Sequence, residues 1–293
     1  MLGGNMRMQV NIQWYPGHMA KTIRELEENL AVVDIVLEVR DARIPASSHN
    51  ADLAKLVAKR PVVTILAKAD LAEPELTAIW VRSLENQGIP TVAMDLKSGS
   101  GLAELEKRIR AQHRVVRQRL QQRGRQGRSL RGLVVGVPNV GKSTLINRLA
   151  KRAVTKTGAR PGVTRGKQWV RIGNWLQLLD VPGVLWPKFE DAATGFYLAI
   201  TGAISDDVYD YVQVGSLLAK SLATHRPKAL KNRYDLEAAS TLEGAAILEA
   251  IGRRRGLLMS GGYVDEEKAA LLLLKEFRQG LLGNFTLDLP PNS

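Results

Sequence analysis

The chain has 293 residues, 45% of them hydrophobic, enough for one sizeable domain and a smaller one. Its formal net charge of +13 points to a polyanionic partner, nucleic acid or an anionic membrane surface, against the plain alternative of a merely soluble basic protein. Cysteine is absent, which excludes disulfides and thiolate metal sites; no apolar run reaches transmembrane length and the N-terminus lacks a signal-peptide core, so a cytoplasmic protein without membrane contact is expected.

In chain order, apolar β-branched runs predict buried strands at 32–39 ("VVDIVLEV"), 60–67 ("RPVVTILA"), 89–94 ("IPTVAM"), 130–137 ("LRGLVVGV") and 174–181 ("NWLQLLDV"). Helical patterns separate most of them, so the fold class is α/β with a largely parallel sheet, whose ligands bind at the carboxyl ends of the strands. Between Gly101 and Gly124 the spacing of Leu102, Leu105, Ile109, Val116 and Leu120 predicts an amphipathic helix. This helix and the following loop carry Arg108, Arg110, Arg114, Arg117, Arg119, Arg123, Arg125, Arg128 and Arg131 with no acidic residue among them. Such a run is ordinarily a solvated face, but in so basic a chain it points to phosphates. After "LWPKFED" only helical patterns remain, at 206–225, 242–255 and 265–279, with Ser205 and Asp265 as expected caps. Arg253, Arg254 and Arg255 fit either RNA contact or the dipole of a helix C-terminus, and the tail "LPPNS" reads as disordered.

"GVPNVGKS" fits G-x-x-x-x-G-K-[ST] from Gly136 to Ser143, directly after a strand and before the helix "STLINRLA". Gly136 and Gly141 free backbone N–H groups for phosphates, with Asn139, Val140 and Thr144 in the same loop. Lys142 reaches the outer phosphates, where it also serves catalysis, and Ser143 can ligate Mg²⁺. Asp180, ending "LQLLD", sits where a carboxylate holds the magnesium shell, Gly183 offers its N–H to a γ-phosphate, and Thr164 on the intervening loop is suited to close over Mg²⁺.

"TILAKADL" (64–71) holds Lys68 and Asp70 after a strand. The Asp70 carboxylate can accept both the N1–H and the 2-amino hydrogens of guanine, while Lys68 lays its stem against the base. Asparagine is usual where Ala67 stands; losing that amide removes a tether to the phosphate loop and costs about 1–3 kcal/mol of binding. "DLKSGSG" (95–101) follows the next strand and places Lys97 to flank the base, with Asp95 and Leu96 departing from the usual Ser-Ala.

These base loops precede the phosphate loop. With "NIQWYPGHMAK", "VRDARIP", "GVPNVGKSTLINRLA", "TGARPGVT", "DVPGVLWPKFED" and "GLLMSGG", the chain resembles the YlqF family of circularly permuted GTPases over nearly its whole length. The resemblance implies a circularly permuted Ras-like P-loop GTPase domain at 25–189, after an N-terminal segment at 1–24, and an all-helical RNA-binding domain at 190–288. It also implies GTP and GDP as ligands, GTP hydrolysis, and a role in late assembly of the large ribosomal subunit and its rRNA. Nothing calls for more than a monomer. Val184 and Leu185 replace the glutamine that orients water in Ras-like enzymes, so on the resemblance His18, beside Pro16 and Gly17, is the candidate catalytic residue; packing or RNA contact by Trp14, Tyr15 and His18 is the plainer alternative. Asn139 matches the K⁺ ligand of related cation-dependent GTPases, or else stabilises its own loop. Asp41 and Arg43 are functional or a structural ion pair. Two other readings stay open, an RNA-binding assembly chaperone with weakened nucleotide binding and a P-loop ATPase.

Overall fold

The computed structural model describes residues 17–122, 128–157, 169–181, 183, 192–237 and 239–291. They form two compact units, one holding the described residues from Gly17 to Gly183 together with Asp288–Pro291, the other those from Ala192 to Leu287.

The first unit is built on one sheet of β1 (Ile35–Asp41), β2 (Val62–Ala67), β3 (Thr91–Met94), β4 (Leu130–Val135), β5 (Trp169–Ile172) and β6 (Leu176–Asp180), in the order β3-β2-β1-β4-β6-β5. Neighbours are parallel except β5 against β6. Helices α1 (Gly17–Val32), α2 (Ala51–Val57), α3 (Pro74–Asn86), α4 (Leu102–Gln122) and α5 (Lys142–Thr157) alternate with the strands, the arrangement parallel strands require. The first strand begins at Ile35, three residues later than its apolar run. Leu26, Leu30 and Val33 keep helical spacing and pack with Leu53 and Val57 against Val36, Leu133 and Leu179, so the start of that run belongs to α1 and the turn after it. β5 escapes a sequence reading because Trp169–Ile172 is short, only Ile172 is buried, and Arg171 is exposed.

All seven residues of β1 are buried, although Glu38, Arg40 and Asp41 are among them. Charges so placed must be paired. Arg40 Nη2 donates to Glu38 at 2.7 Å, and His49 Nδ1 lies 2.7 Å from the same carboxylate. Burial by itself would raise the Glu38 carboxyl; the His49 hydrogen bond and the Arg40 charge outweigh it and hold the group at about 2, against 4.5 in a free chain. Because the folded value is the lower one, the stabilisation is complete above pH 4.5 and is lost as pH falls through about 2. Urea unfolding at pH 6, 4 and 3 should therefore lose stability more steeply in the native chain than in Glu38→Gln, by roughly 2 kcal/mol between pH 6 and pH 3. Equal slopes would contradict this pairing.

The second unit is all-helical: α6 (Ala192–Thr201), α7 (Tyr211–His225), α8 (Pro227–Tyr234), α9 (Gly244–Arg254) and α10 (Glu266–Arg278). α7 is central and packs on α9 and α10. Asp265 caps α10 as expected, accepting Lys268 N–H at 3.0 Å. Ser205 does not act as a cap. It precedes a 3₁₀ turn, Asp206–Val208, without a side-chain bond, and the helix starts later, where Asp210 accepts Gln213 N–H at 2.9 Å. The reason is local: Asp206 accepts from Tyr209 and from Arg278, at 2.7 Å for the latter, so this segment is tied to α10 before α7 begins. Arg253, Arg254 and Arg255 pair with Glu249, Asp235 and Glu276 respectively.

The residue just before the tail 289–293 is anchored, and residues 292 and 293 of that tail lie outside the described residues. Asp288 accepts N–H bonds from Ala46 and Ser47 and the Ser47 hydroxyl, each at 2.7 Å, and Trp80 Nε1 donates to its carbonyl. One carboxylate satisfying three donors fixes the chain at Asp288; beyond it Leu289 and Pro291 are exposed and Pro290 is buried. Among the described residues no helix is long and apolar enough to cross a membrane.

Candidate functional site

The parallel register sets Asp41 level with Ala67, and Ala67 level with Met94. The loops leaving β2, β3, β4 and β6 therefore emerge along one edge of the sheet, where such folds bind ligands.

Strand β4 runs into Gly136, at φ +148°, where a Cβ would lie 2.2 Å from the Val39 carbonyl. Only glycine lets the loop turn this close to β1. Asn139 has φ +53°, Val140 is fully buried, and Thr144 is exposed. Lys142 is 7% exposed, and its Nζ donates to the carbonyls of Gly136 at 3.3 Å and Val137 at 3.0 Å. Burial lowers its pKa to about 8, with the charge of Asp180 opposing. An ammonium held this way, over the loop and short of charge compensation, is set to receive phosphate oxygens.

Ser143 Oγ donates to Asp180 Oδ2 at 2.7 Å, while Asp180 Oδ1 is buried with no hydrogen-bond partner. A hydroxyl beside a carboxylate with an unused oxygen is a donor set suited to Mg²⁺, which takes one or two protein oxygens and fills its shell from phosphates and water. Gly183 lies against the same loop: a Cβ there would meet Pro138 backbone atoms at 2.5 Å and Lys142 Nζ at 2.9 Å. Gly183→Ala is accordingly expected to displace the phosphate loop or its lysine and to weaken nucleotide binding at least tenfold, on the order of 1.4 kcal/mol. Calorimetric titration with a non-hydrolysable GTP analogue checks this, and unchanged affinity would contradict it.

On the base side, Lys68 adopts φ +58° and its Nζ lies 2.9 Å from Asp41 Oδ2. Asp41 is 2% exposed and also grips Arg43 through both oxygens, at 3.0 and 2.8 Å. Burial would raise the Asp41 carboxyl, but the Arg43 and Lys68 charges hold it far below the ordinary range. Asp70, in the 3₁₀ turn Ala69–Leu71, is partly exposed, with Lys97 Nζ 3.7 Å from its carboxylate. Asp95 shapes the second loop by accepting N–H bonds from Lys97 at 2.7 Å and Ser98 at 3.2 Å. Leu96 is buried and occupies the space a side chain on Gly141 would need, and its carbonyl accepts from Arg148 Nε at 2.8 Å. The base-side loops and the phosphate-loop helix are thus joined through Leu96 and Arg148.

The structure therefore brings together Lys68, Asp70, Lys97, the phosphate loop, Asp180 and Gly183. Thr164 lies outside the described residues. His18 falls in the first turn of α1, and its side chain lies outside the description. Arg148 was missed, since nothing in its local pattern separates it from any basic residue on a helix. Of the expected phosphate-binding arginines, Arg108 is held by Glu104 and Glu85, Arg110 stacks 3.9 Å over Trp175, Arg128 pairs with Asp34 and Arg131 faces Trp169. Arg114 and Arg117 are exposed, while the side chains of Arg119, Arg123 and Arg125 lie outside the description.

Residues 131–225 match the family described as 50S ribosome-binding GTPase. The chain is 44% identical over 282 residues to ribosome biogenesis GTPase A of Priestia megaterium, covering 96% of this chain and 98% of that protein. Against the Thermotoga maritima protein of the same name identity is 32%, covering 95% of each. Among solved structures it is similar to GNP-bound YlqF from T. maritima, with a TM-score of 0.65 and 25% identity over 93% of this chain and 100% of that one.

Proposed function

The chain belongs to the ribosome biogenesis GTPase A family, and from that premise we propose that it binds and hydrolyses GTP to control its own association with the large ribosomal subunit late in assembly, in the cytoplasm. The observation that carries this reading is the convergence of Lys142, the Ser143–Asp180 pair and the Asp70–Lys97 pair on one edge of the sheet.

In this account the phosphate-loop N–H groups and Lys142 grip the β- and γ-phosphates, and Gly183 senses the γ-phosphate. Ser143, Asp180 and Thr164 hold Mg²⁺, which when bound neutralises charge on the phosphates. Asn139 is the candidate ligand for K⁺, and a single amide oxygen does not by itself make a coordination shell for that ion. Asp70 reads the guanine edge between the stems of Lys68 and Lys97. The tether lost at Ala67 is supplied instead by Asp41 on Lys68 and by Leu96 and Arg148 on the second loop. His18 orients the attacking water, a role that neither Val184 nor Leu185 can take.

The motif order is that of a circularly permuted GTPase, in which the segment after Gly183 runs directly into the helical unit. Contacts to a γ-phosphate can therefore bias that unit, which contacts rRNA together with the exposed Arg114 and Arg117 of α4. Multiple-turnover GTP hydrolysis, measured with and without purified large subunits, tests the proposal. Stimulated turnover that His18→Ala abolishes, with GTP binding intact, is the expected result. Absence of hydrolysis even with subunits would favour an RNA-binding chaperone, and turnover that ignores the choice of GTP or ATP would favour a P-loop ATPase.

A further inference from the structure

We infer, on the nucleotide reading given above, that Asp288 is a positioning residue for the guanine nucleotide, acting through the loop that joins β1 to α2. The start of that loop holds the guanine-side turn: Ala42 N–H donates to the Ala67 carbonyl at 2.8 Å, and Asp41, at the end of β1, reaches Lys68 Nζ at 2.9 Å. Its middle holds the residue that follows the helical unit. Ala46 N–H, Ser47 N–H and the Ser47 hydroxyl all converge on the Asp288 carboxylate, each at 2.7 Å. Between these two parts the loop is tied to itself, since Asp41 N–H donates to Ser48 Oγ at 3.0 Å, the Ser48 hydroxyl donates to the Ile44 carbonyl at 2.6 Å, and Ile44 N–H returns to the Asp41 carbonyl at 2.9 Å. Ala42, Ile44, Ser47 and Ser48 are buried. A loop so packed and bonded passes a displacement on instead of absorbing it, and the charge-assisted bonds to Asp288 are the kind that fix position as well as add energy.

Leu287 is the last residue of the helical unit, and Asp288, the next in the chain, belongs to the nucleotide unit. The helical unit is therefore joined to the nucleotide unit by the chain at both ends, through the segment after Gly183 and through Asp288. These two connections respond to different parts of the nucleotide. The one after Gly183 needs a γ-phosphate, whereas the one at Asp288 leads to the turn that carries Lys68 and Asp70, and it acts with GDP as well. Coupling along this second connection is reciprocal. Whatever factor the anchored Asp288 adds to GDP affinity, bound GDP adds to the anchoring of Asp288.

Calorimetric titration of the full chain with GDP, combined with hydrogen–deuterium exchange at the Ala46 and Ser47 amides, tests this. GDP lacks the γ-phosphate and so isolates the Asp288 connection from the one after Gly183. Asp288→Ala should bind GDP about fivefold or more weakly, a shift of the size that couples two sites in one protein. Ser47→Ala, which removes one of the three bonds, should fall between Asp288→Ala and the native chain, and Asp288→Glu, which keeps a carboxylate, should recover part of the loss. In the native chain, bound GDP should slow exchange at Ala46 and Ser47 by the same factor that Asp288→Ala loses in affinity, which an anchor serving the tail alone would not do. The slowing is read on the native chain, so it keeps the test decisive if Asp288→Ala fails to fold. Unchanged GDP affinity in Asp288→Ala, or exchange at Ala46 and Ser47 that ignores GDP, would each overturn the proposal while leaving the nucleotide reading in place. Absence of GDP binding by the native chain would overturn both.

Discussion

Asp70→Asn is expected to weaken GDP and GTP binding on the order of 10³-fold, since a buried base edge that meets the wrong donor or acceptor is rejected strongly. The native carboxylate offers two acceptors to the two hydrogens of the guanine edge. An asparagine presents one acceptor and one N–H donor, so one guanine hydrogen faces another hydrogen. Xanthine carries a carbonyl in place of the 2-amino group, and the amide is complementary to it. The variant should therefore prefer xanthosine nucleotides over guanosine nucleotides. The turn itself does not depend on the carboxylate: Leu71 N–H bonds the Lys68 carbonyl, and the ion pair of the Asp70 side chain among the described residues is with the exposed Lys97, at 3.7 Å. Fluorescent-nucleotide titrations with GDP and XDP read the switch directly. Retained GDP affinity would remove Asp70 from base recognition.

Asp41→Ala is expected to cost about 3–5 kcal/mol of stability, the usual result of removing one partner of a buried ion pair. Arg43 is 1% exposed, and its side chain would lose the two-point grip that holds it. Lys68, whose Nζ sits 2.9 Å from the same carboxylate, would lose its anchor at a position where the backbone already has φ +58°. Urea unfolding should show the destabilisation, and the double variant Asp41→Ala/Arg43→Ala should recover part of it, because the buried guanidinium that lost its carboxylate is gone. Nucleotide affinity should stay lowered in the double variant, since Lys68 remains untethered. A double variant less stable than Asp41→Ala alone would mean that burying the arginine is not the source of the cost.

The phosphate side of the site is legible in the sequence because its chemistry is local. Gly136, Gly141, Lys142 and Ser143 occur within eight residues between a strand and a helix, and Asp180 ends an apolar strand, so spacing alone positions them. The base side is legible only in part. Lys68 and Asp70 stand in a recognisable turn, but what steadies that turn comes from Asp41, 27 residues earlier in the chain, and what steadies the second loop comes from Arg148, 52 residues after Leu96. No periodicity reports a partner supplied by the neighbouring strand or by a helix so distant in the chain. For the same reason Asp41 and Arg43 read equally well as an ion pair or as functional residues, and the structure makes them an ion pair that also holds a site lysine. The misplaced cap at Ser205 has a similar origin, in that Arg278 ties Asp206 to α10 and delays the helix that the composition of the segment reads from Ser205.

The most direct test of the nucleotide-switch account is co-sedimentation of the chain with purified large ribosomal subunits in the presence of a non-hydrolysable GTP analogue, the matching ATP analogue, or GDP. Retention with the GTP analogue alone is the predicted result; it would mean that Asp70 reads guanine despite Ala67 and that the γ-phosphate governs ribosome binding. Equal retention under all three conditions would contradict the account and leave an RNA-binding protein whose nucleotide site does not act as a guanine switch.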